Sequence, residues 1–347
     1  VAAATRPLTN KSGLMSVSAR FLMALGFFLP FFLNAQTEDL PRGLSPQEKL
    51  ELQSRNFQAP EVVADPPSGI FTEAPDGPVR SMAEWEELEA IVVTWTNSGF
   101  GKFEMSEIIR HAQEECRVIV VCNNAGLVSD LLTNNYGVPV GPNVEFLEAD
   151  HNSIWVRDYG PNSIYQDDID SLMLVDWIYN RTFRPQDDTL ALAISEYLDL
   201  PLYTTTQSPN DLVNTGGNFM SDGLGTAFSS ELVLEENEPG NPFNVSAKSK
   251  AEVDQIMQDF MGIGPYINME TLPYDGIHHI DMHMKLLDER RILVAEFPEG
   301  VSDGPQIEAN IQYVLSNFQS AFDEPFEIIR IPQPPCGNGN YPPNCSF

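Results

Sequence analysis

Short apolar runs alternate with amphipathic segments along most of the chain after residue 90. Runs rich in branched apolar side chains predict strands at 90–95, 118–122, 144–147, 172–178, 227–234 and 326–331. Apolar residues at helical spacing predict helices over 102–116, 127–132, 189–198, 248–260 and 306–318. Repeated β–α units of similar size predict an α/β fold, and their recurrence indicates internal pseudo-symmetry without an exact sequence repeat.

A further strand is predicted over residues 277–285, which hold three of the five histidines and precede an apolar run at 291–295. Alternate residues of an extended chain share a face. His279, Asp281 and His283 would therefore point one way, and His278 and Met282 the other. Imidazole and carboxylate groups at this spacing are able to ligate zinc, which gives one hypothesis, a metal-dependent hydrolase. A polar edge strand that faces water is the simpler interpretation.

The first 80 residues lack this alternation. Residues 1–35 are expected to be a leader and signal peptide, placed near 15–35, because Arg20 precedes an apolar run and a small residue, Ala35, follows it. The run is too short for a membrane span, so a secreted, periplasmic or extracellular protein without a membrane span is expected. Residues 36–80, rich in proline and glutamate, are predicted to be an extended lead-in to a folded domain over 81–347.

Charge narrows the range of partners. The chain has 50 acidic residues against 19 lysines and arginines, a net charge of −31. Such a surface repels nucleic acid and anionic membranes and attracts cations. The four cysteines form no CxxC motif. Cys336 and Cys345 are spaced to close a disulfide loop in an exported protein, and Cys116 and Cys122 are expected to be free thiols. The acidic run 167–170 lacks the spacing of an EF-hand calcium loop.

Two other segments carry candidate chemistry. Residues 155–161, WVRDYGP, follow the end of a predicted strand, where binding groups often lie on loops. Residues 215–223, TGGNFMSDG, contain paired glycines that allow close approach of the backbone to a ligand. Taken alone, the first is compatible with a structural Arg–Asp pair and the second with an ordinary turn. Neither matches the GxGxxG pattern of nucleotide binding.

Taken in order, WVRDYGP, TGGNFMSDG and HHIDMHMK resemble the motifs of the agmatine deiminase and bacterial peptidyl-arginine deiminase family. Glu84-Trp85-Glu86 before a strand is similar to the opening of that family, and the resemblance covers residues 80 to 347. It implies the pentein fold, an α/β-propeller of five ββαβ modules around a pseudo-fivefold axis. It also implies hydrolysis of a guanidinium, either peptidyl-arginine to citrulline or agmatine to N-carbamoylputrescine, with release of ammonia.

The resemblance assigns roles residue by residue. Asp158 and Asp281 would hold the planar guanidinium through paired hydrogen bonds. His279 would protonate the departing ammonia and then activate water. Trp155 would line the pocket for the methylene stem of the substrate, and Asn218 would help to shape the site. The implied partner is a small cationic guanidine or an arginine-containing peptide, and no cofactor and no metal are expected.

One expected group is missing. The family uses a cysteine nucleophile near the C-terminus, in a glycine-containing segment beside a histidine, and Cys336 and Cys345 lack such neighbours. We therefore expect a chain truncated at Phe347, without its C-terminal module and without covalent activity of its own. A non-catalytic module that binds arginine is the remaining alternative. Thr215 stands where agmatine-type enzymes are expected to carry an acid, which favours peptidyl-arginine over agmatine.

Overall fold

The computed structural model describes residues 69–97, 101–166 and 171–345. Within these ranges the strands β1 to β14 are Ile70–Phe71, Arg80–Ser81, Ala90–Thr94, Arg117–Cys122, Val144–Glu148, Asn162–Tyr165, Leu172–Asp176, Leu202–Thr204, Met220–Ser221, Ala227–Ser230, Tyr266–Met269, Met284–Leu286, Arg291–Glu296 and Glu327–Pro332. The helices α1 to α7 are Lys102–Ala112, Ala125–Asn135, Val156–Tyr159, Leu190–Leu198, Leu232–Glu235, Lys250–Met261 and Gly304–Asn317. Two short 3₁₀ turns are Gly216–Asn218 and Ile280–Met282.

Four β–α units follow one another in the described chain, each with its own sheet. In the first unit, residues 90–148, the strands β3, β4 and β5 are parallel and are joined by α1 and α2. The second unit (162–204), the third (220–269) and the fourth (284–332) share a different order. Each has an antiparallel strand pair, then helix, then a strand parallel to the second strand. The α/β class predicted from the sequence is therefore confirmed.

Neighbouring units share hydrophobic cores. Val121 of the first unit packs in one cluster with Leu174 of the second, and Met173 of the second packs in another with Phe260 of the third. A third cluster joins the third and fourth units through Phe228, Ile267, Ile292 and Val294. Each such side chain contributes about 1.5–3 kcal/mol when fully buried. These cores hold the connections between consecutive units in place.

Helix α6 shows how local sequence sets an element. Ser249 and Glu252 form a capping box at its start, which satisfies backbone N–H groups of the first turn. Val253 and Phe260 lie on its buried face. The helix ends at Gly262, which has φ of 68° and lies so close to Val79 that a β-carbon would be 1.8 Å from the Val79 carbonyl oxygen. Only glycine satisfies both demands.

The strand predicted over 227–234 ends early. Pairing of β10 stops at Ser230, and residues Leu232–Glu235 form helix α5. Strand β9 pairs with β10 only as far as Phe228, and at Ser230 the Asn218 side chain accepts a hydrogen bond from the N–H at 2.8 Å and donates to the carbonyl at 3.4 Å. A buried amide thus takes the place of a neighbouring strand at this residue.

The strand predicted over 277–285 is also wrong. His278 has φ of 61°, in the left-handed region, and Ile280–Met282 form a 3₁₀ turn, so that strand β12 begins only at Met284. A left-handed residue and a turn destroy the alternation of faces that an extended chain would have. His279, Asp281 and His283 therefore do not share a strand face.

Part of the predicted lead-in belongs to a sheet. β1 pairs with β8, and β2 pairs with β6, in the sheet of the second unit. Cys336 and Cys345 form a disulfide, and Cys116 and Cys122 are free. The predicted signal peptide near 15–35 and the acidic run 167–170 lie outside the described residues. Among the helices that are described, none is both long and apolar enough to cross a membrane.

Candidate functional site

The three candidate motifs occupy equivalent places in the fold. Each contributes a short helical turn directly before the first strand of a unit: α3 before β6, Gly216–Asn218 before β9, and Ile280–Met282 before β12. The shared cores between units bring these turns together. Helix α3 contacts Gly216–Asn218, which in turn contacts Ile280–Met282. The site is thus built from connections between units, where the chain is free to carry polar groups.

Gly217 lies at the point where the motifs meet. A β-carbon on Gly217 would be 2.5 Å from His279 Nδ1, 2.7 Å from Asp158 Oδ1 and 3.2 Å from Asp281 Oδ2. His279 Nδ1 and Asp158 Oδ1 are 3.5 Å apart. The structure therefore brings together Asp158, Asp281 and His279, the three residues predicted to be catalytic, around a glycine that leaves space for them.

Burial sets the charge state of this cluster. It raises the pKa of Asp158 to about 6, although Arg181 and Arg157 act in the opposite direction. Burial and the nearby charge of Asp158 raise the pKa of Asp281 to about 6. Burial and the positive charge of Arg181 lower the pKa of His279 to about 4. At pH 7 the site therefore presents two carboxylates and a neutral imidazole, an arrangement that a bound cation would stabilise.

We expect the ring of His279 to titrate near pH 4, because its folded pKa is lowered from 6.5 to about 4. Burial lowers the pKa of His283 to about 4 as well, so His279→Gln and His283→Gln would assign the two resonances. Between pH 4 and 6.5 the unfolded chain binds a proton that folded His279 does not, so this residue's contribution to stability is lost as the pH falls through that range. NMR titration of the ring protons measures this, and a transition of His279 near pH 6.5 would contradict it.

The other predicted residues lie at different distances from the cluster. Trp155 is at the start of α3, three residues before Asp158, and is 45% exposed. Asn218 is fully buried and its amide is engaged with Ser230. His283 is largely buried, and its Nδ1 atom has no hydrogen-bond partner. The described residues contain no group of three or more His, Cys, Asp or Glu side chains able to hold a metal ion.

Sequence reasoning did not place the charged groups that surround this cluster, although it noted Glu84 in the opening motif. Glu84, in the turn before the first unit, contacts both Arg157 of helix α3 and Lys285 of strand β12. Arg181 and Arg184 follow strand β7, and both are close enough to Asp158 to lower its pKa. Their position in the connection that follows strand β7 was the one sequence feature that indicated a binding role. The ring of Phe183, between them, is 72% exposed.

No cysteine is among the three side chains that approach Gly217. Cys336 and Cys345 are bonded to each other after β14. Cys122 is buried at the end of β4, and burial raises the pKa of its thiol. Cys116 lies after α1 and is partly exposed. A thiolate nucleophile beside His279 is therefore not observed in the described part of the chain.

Comparison with known proteins identifies relatives. Residues 80–346 match the family described as Porphyromonas-type peptidyl-arginine deiminase. The agmatine deiminase of Pseudomonas aeruginosa is 27% identical over 200 residues, which are 53% of this chain and 50% of that protein. A second relative, from Mycoplasma capricolum, is 24% identical over 55% of this chain and 53% of its own length. The chain thus spans about half the length of the curated relatives it matches.

Solved structures show the same fold. The agmatine deiminase of Enterococcus faecalis superposes with a TM-score of 0.61 at 21% identity, over 74% of this chain and 71% of that one. The agmatine deiminase of Campylobacter jejuni gives 0.56 at 18% identity, over 74% and 73%. The family match extends over most of the chain, from strand β2 to the disulfide loop. The chain therefore belongs to the Porphyromonas-type peptidyl-arginine deiminase family.

Proposed function

We propose that this site binds the guanidinium of an arginine side chain for hydrolytic deimination. The observation that carries the proposal is the convergence of Asp158, Asp281 and His279 around Gly217. A guanidinium is a flat cation with N–H groups that pair with carboxylates. Two neighbouring carboxylates with raised pKa values, both ionised at pH 7, would be stabilised by such a partner.

The residues divide the chemistry between them. Asp158 and Asp281 hold and orient the cation, which keeps its central carbon in a fixed position for attack. Attack by a thiolate on that carbon forms a C–S bond, and the C–N bond then breaks as ammonia leaves with a proton from the histidine. Water, deprotonated by the same histidine, next replaces the sulfur and gives the ureido product. His279 is neutral at pH 7 and would take up the proton of the attacking thiol, which generates the thiolate and supplies the proton later donated to the ammonia.

We further propose that this chain binds the cation without completing the covalent steps. The state of its cysteines supports this, because two are paired in a disulfide and Cys122 is buried as a thiol. Cys116 lies beyond the end of α1, among residues that do not contribute to the cluster. The nucleophile that the family resemblance implies stays a prediction for the full protein.

Peptidyl-arginine fits the surroundings of the site better than agmatine. Agmatine carries a second cation, an ammonium, and Arg181 and Arg184 place positive charge near Asp158 that would repel it. Thr215, where an acid would attract that ammonium, is buried and donates a hydrogen bond to the Asp158 carbonyl at 3.2 Å. We propose an arginine within a peptide or protein as the substrate.

The propeller arrangement is part of the same proposal. Equivalent turns before the second, third and fourth units carry Asp158, Gly217 and Asp281. Glu84, before the first unit, contacts Arg157 in the turn before the second unit and Lys285 in the first strand of the fourth unit. Units arranged around a common axis, with the site at that axis, would explain both facts. The fifth module that the resemblance implies stays a prediction, as do export and the signal peptide near 15–35.

Calorimetry with three ligands tests the function. We expect N-acetyl-arginine amide to bind, and the matched ammonium, N-acetyl-lysine amide, to bind at least about tenfold more weakly because it lacks the planar donor fork. Agmatine should bind about tenfold more weakly than the arginine amide, owing to its second charge. Equal affinity for arginine and lysine would refute guanidinium recognition. Tighter binding of agmatine would refute only the choice of substrate.

A further inference from the structure

Ser230, at the end of β10, connects two of the turns that form the site. Its Oγ donates a hydrogen bond to the His278 carbonyl at 2.6 Å. Its backbone N–H and carbonyl are both bonded to the side chain of Asn218, at 2.8 and 3.4 Å. Asn218 directly follows Gly217, and His278 directly precedes His279. Ser230 and Asn218 are 4% and 0% exposed, so water does not compete for these bonds.

The direction of the hydroxyl is determined by its two partners. Ser230 Oγ accepts a hydrogen bond from the Leu232 N–H at 3.3 Å, at the start of α5. A hydroxyl has one proton to donate, and the His278 carbonyl is the acceptor at 2.6 Å. The hydroxyl proton is therefore directed at the His278 carbonyl, while the oxygen accepts from the first turn of α5.

His278 is the residue at which such a bond has most effect on geometry. Its backbone has φ of 61°, a left-handed conformation that a non-glycine residue rarely adopts without local support. Its carbonyl belongs to the peptide bond that carries His279. The turn Ile280–Met282, with Asp281, follows at once. A shift at this carbonyl would move both His279 and Asp281 relative to Gly217 and Asp158.

We propose that Ser230 is a positioning residue that fixes His279 and Asp281 against Asp158 through the link Asn218–Ser230–His278. This role rests on the proposed function and deepens it. Ser230 itself does not touch the cluster, and it acts through the residues that do. It explains why the buried amide of Asn218 is directed at β10 and away from the carboxylates. The two turns keep their relative position because one serine is bonded to both.

The test compares Ser230→Ala with Ser230→Thr, which restores the hydroxyl. Ser230→Ala should weaken binding of N-acetyl-arginine amide about tenfold or more, since small displacements of binding groups have large effects. It should also move the NMR titration of His279 away from pH 4. Ser230→Thr should recover both values. Ser229→Ala is the matched control: Ser229 is a buried neighbour that accepts a hydrogen bond from Asn268 at 2.7 Å, so its loss should lower the melting temperature and leave affinity unchanged.

The outcomes test the role of Ser230 separately from the proposed function of the site. Unchanged affinity and an unchanged His279 titration in Ser230→Ala would overturn the role of Ser230. If the wild-type chain binds no guanidinium, the proposed function fails, and the His279 titration alone still tests the link. If Ser230→Ala does not fold, Ser230→Cys preserves the size of the side chain with a weaker donor. In that variant, affinity and titration equal to those of wild type would overturn the inference.

Discussion

Asp158→Asn should weaken binding of N-acetyl-arginine amide at pH 7.5 by about a hundredfold, and Asp281→Asn by about tenfold, because solvent screens the charge of the more exposed Asp281. Both carboxylates approach the same point beside Gly217, so a flat cation bound there would contact both. Calorimetry measures the effect. Asp150→Asn removes an equal charge from an exposed position and should change affinity little. Loss in only one of the two site variants would mean that the acids do not share a ligand.

The same affinity should fall as the pH is lowered through 6. The pKa values of Asp158 and Asp281 are both raised to about 6, and the guanidinium requires both in the ionised form. At pH 5 each would be ionised in about a tenth of the molecules, so affinity should be about a hundredfold lower than at pH 7.5. Calorimetry in matched buffers between pH 5 and 8 provides the curve, and a flat curve would disprove the assignment.

Stability should change in the opposite direction to binding. Each acid has a folded pKa of about 6 against an ordinary 3.8, so the native state takes up protons between these values and loses stability as the pH rises through them. Asparagine removes this unfavourable charge. Asp281→Asn should therefore melt at the wild-type temperature or above it at pH 7.5, while it loses affinity. A variant that lost both together would point to a structural carboxylate.

Gly217→Ala should reduce affinity for the arginine amide by on the order of a hundredfold, because added atoms in a packed site force neighbouring groups to move. The new methyl would lie 2.5 Å from His279 Nδ1 and 2.7 Å from Asp158 Oδ1, closer than real contacts allow. These neighbours are the ends of side chains, so we expect them to shift without unfolding the chain. Thermal melting and calorimetry on one preparation would separate the two effects.

Two other glycines serve as controls for this substitution. A β-carbon at Gly276 would have nothing within 4 Å, so Gly276→Ala should retain affinity. At Gly216 a β-carbon would lie 1.9 Å from the Arg157 carbonyl oxygen, which is backbone and cannot rotate away. Gly216→Ala should therefore lower the melting temperature as well as affinity. Wild-type affinity in Gly217→Ala would show that the space beside Gly217 is not the binding position.

Local patterns were sufficient for most elements of the fold. The apolar runs that became β3, β4 and β5 and the helical spacing of α6 depend on neighbours in the chain. The two failures, at 227–234 and 277–285, depend on groups far away in sequence. At Ser230 the Asn218 side chain takes the place of strand β9 beside β10. The left-handed backbone of His278 is held in place by Ser230, 48 residues earlier.

The residues of the site divide in the same way, into those predicted from local motifs and those recognised only in the structure. Asp158, His279 and Asp281 were predicted because their motifs resemble a family, and the match to that family over residues 80–346 confirms the resemblance. Arg181 and Ser230 were missed, and Glu84 was noted only as part of the opening motif, because nothing in the sequence places any of them in contact with the site. Their contacts with the motifs exist only once the connections between units are packed together.

The periodic pattern was enough to predict the α/β class, and the motifs indicated the family and, through that resemblance, predicted the roles of Asp158, Asp281 and His279. Only the packed chain decided that these groups meet at Gly217, and burial together with the neighbouring charges there set their pKa values to about 6 and about 4. The reason is physical: periodicity and motif are properties of nearby residues, whereas desolvation and the approach of charges depend on which distant segments exclude water together.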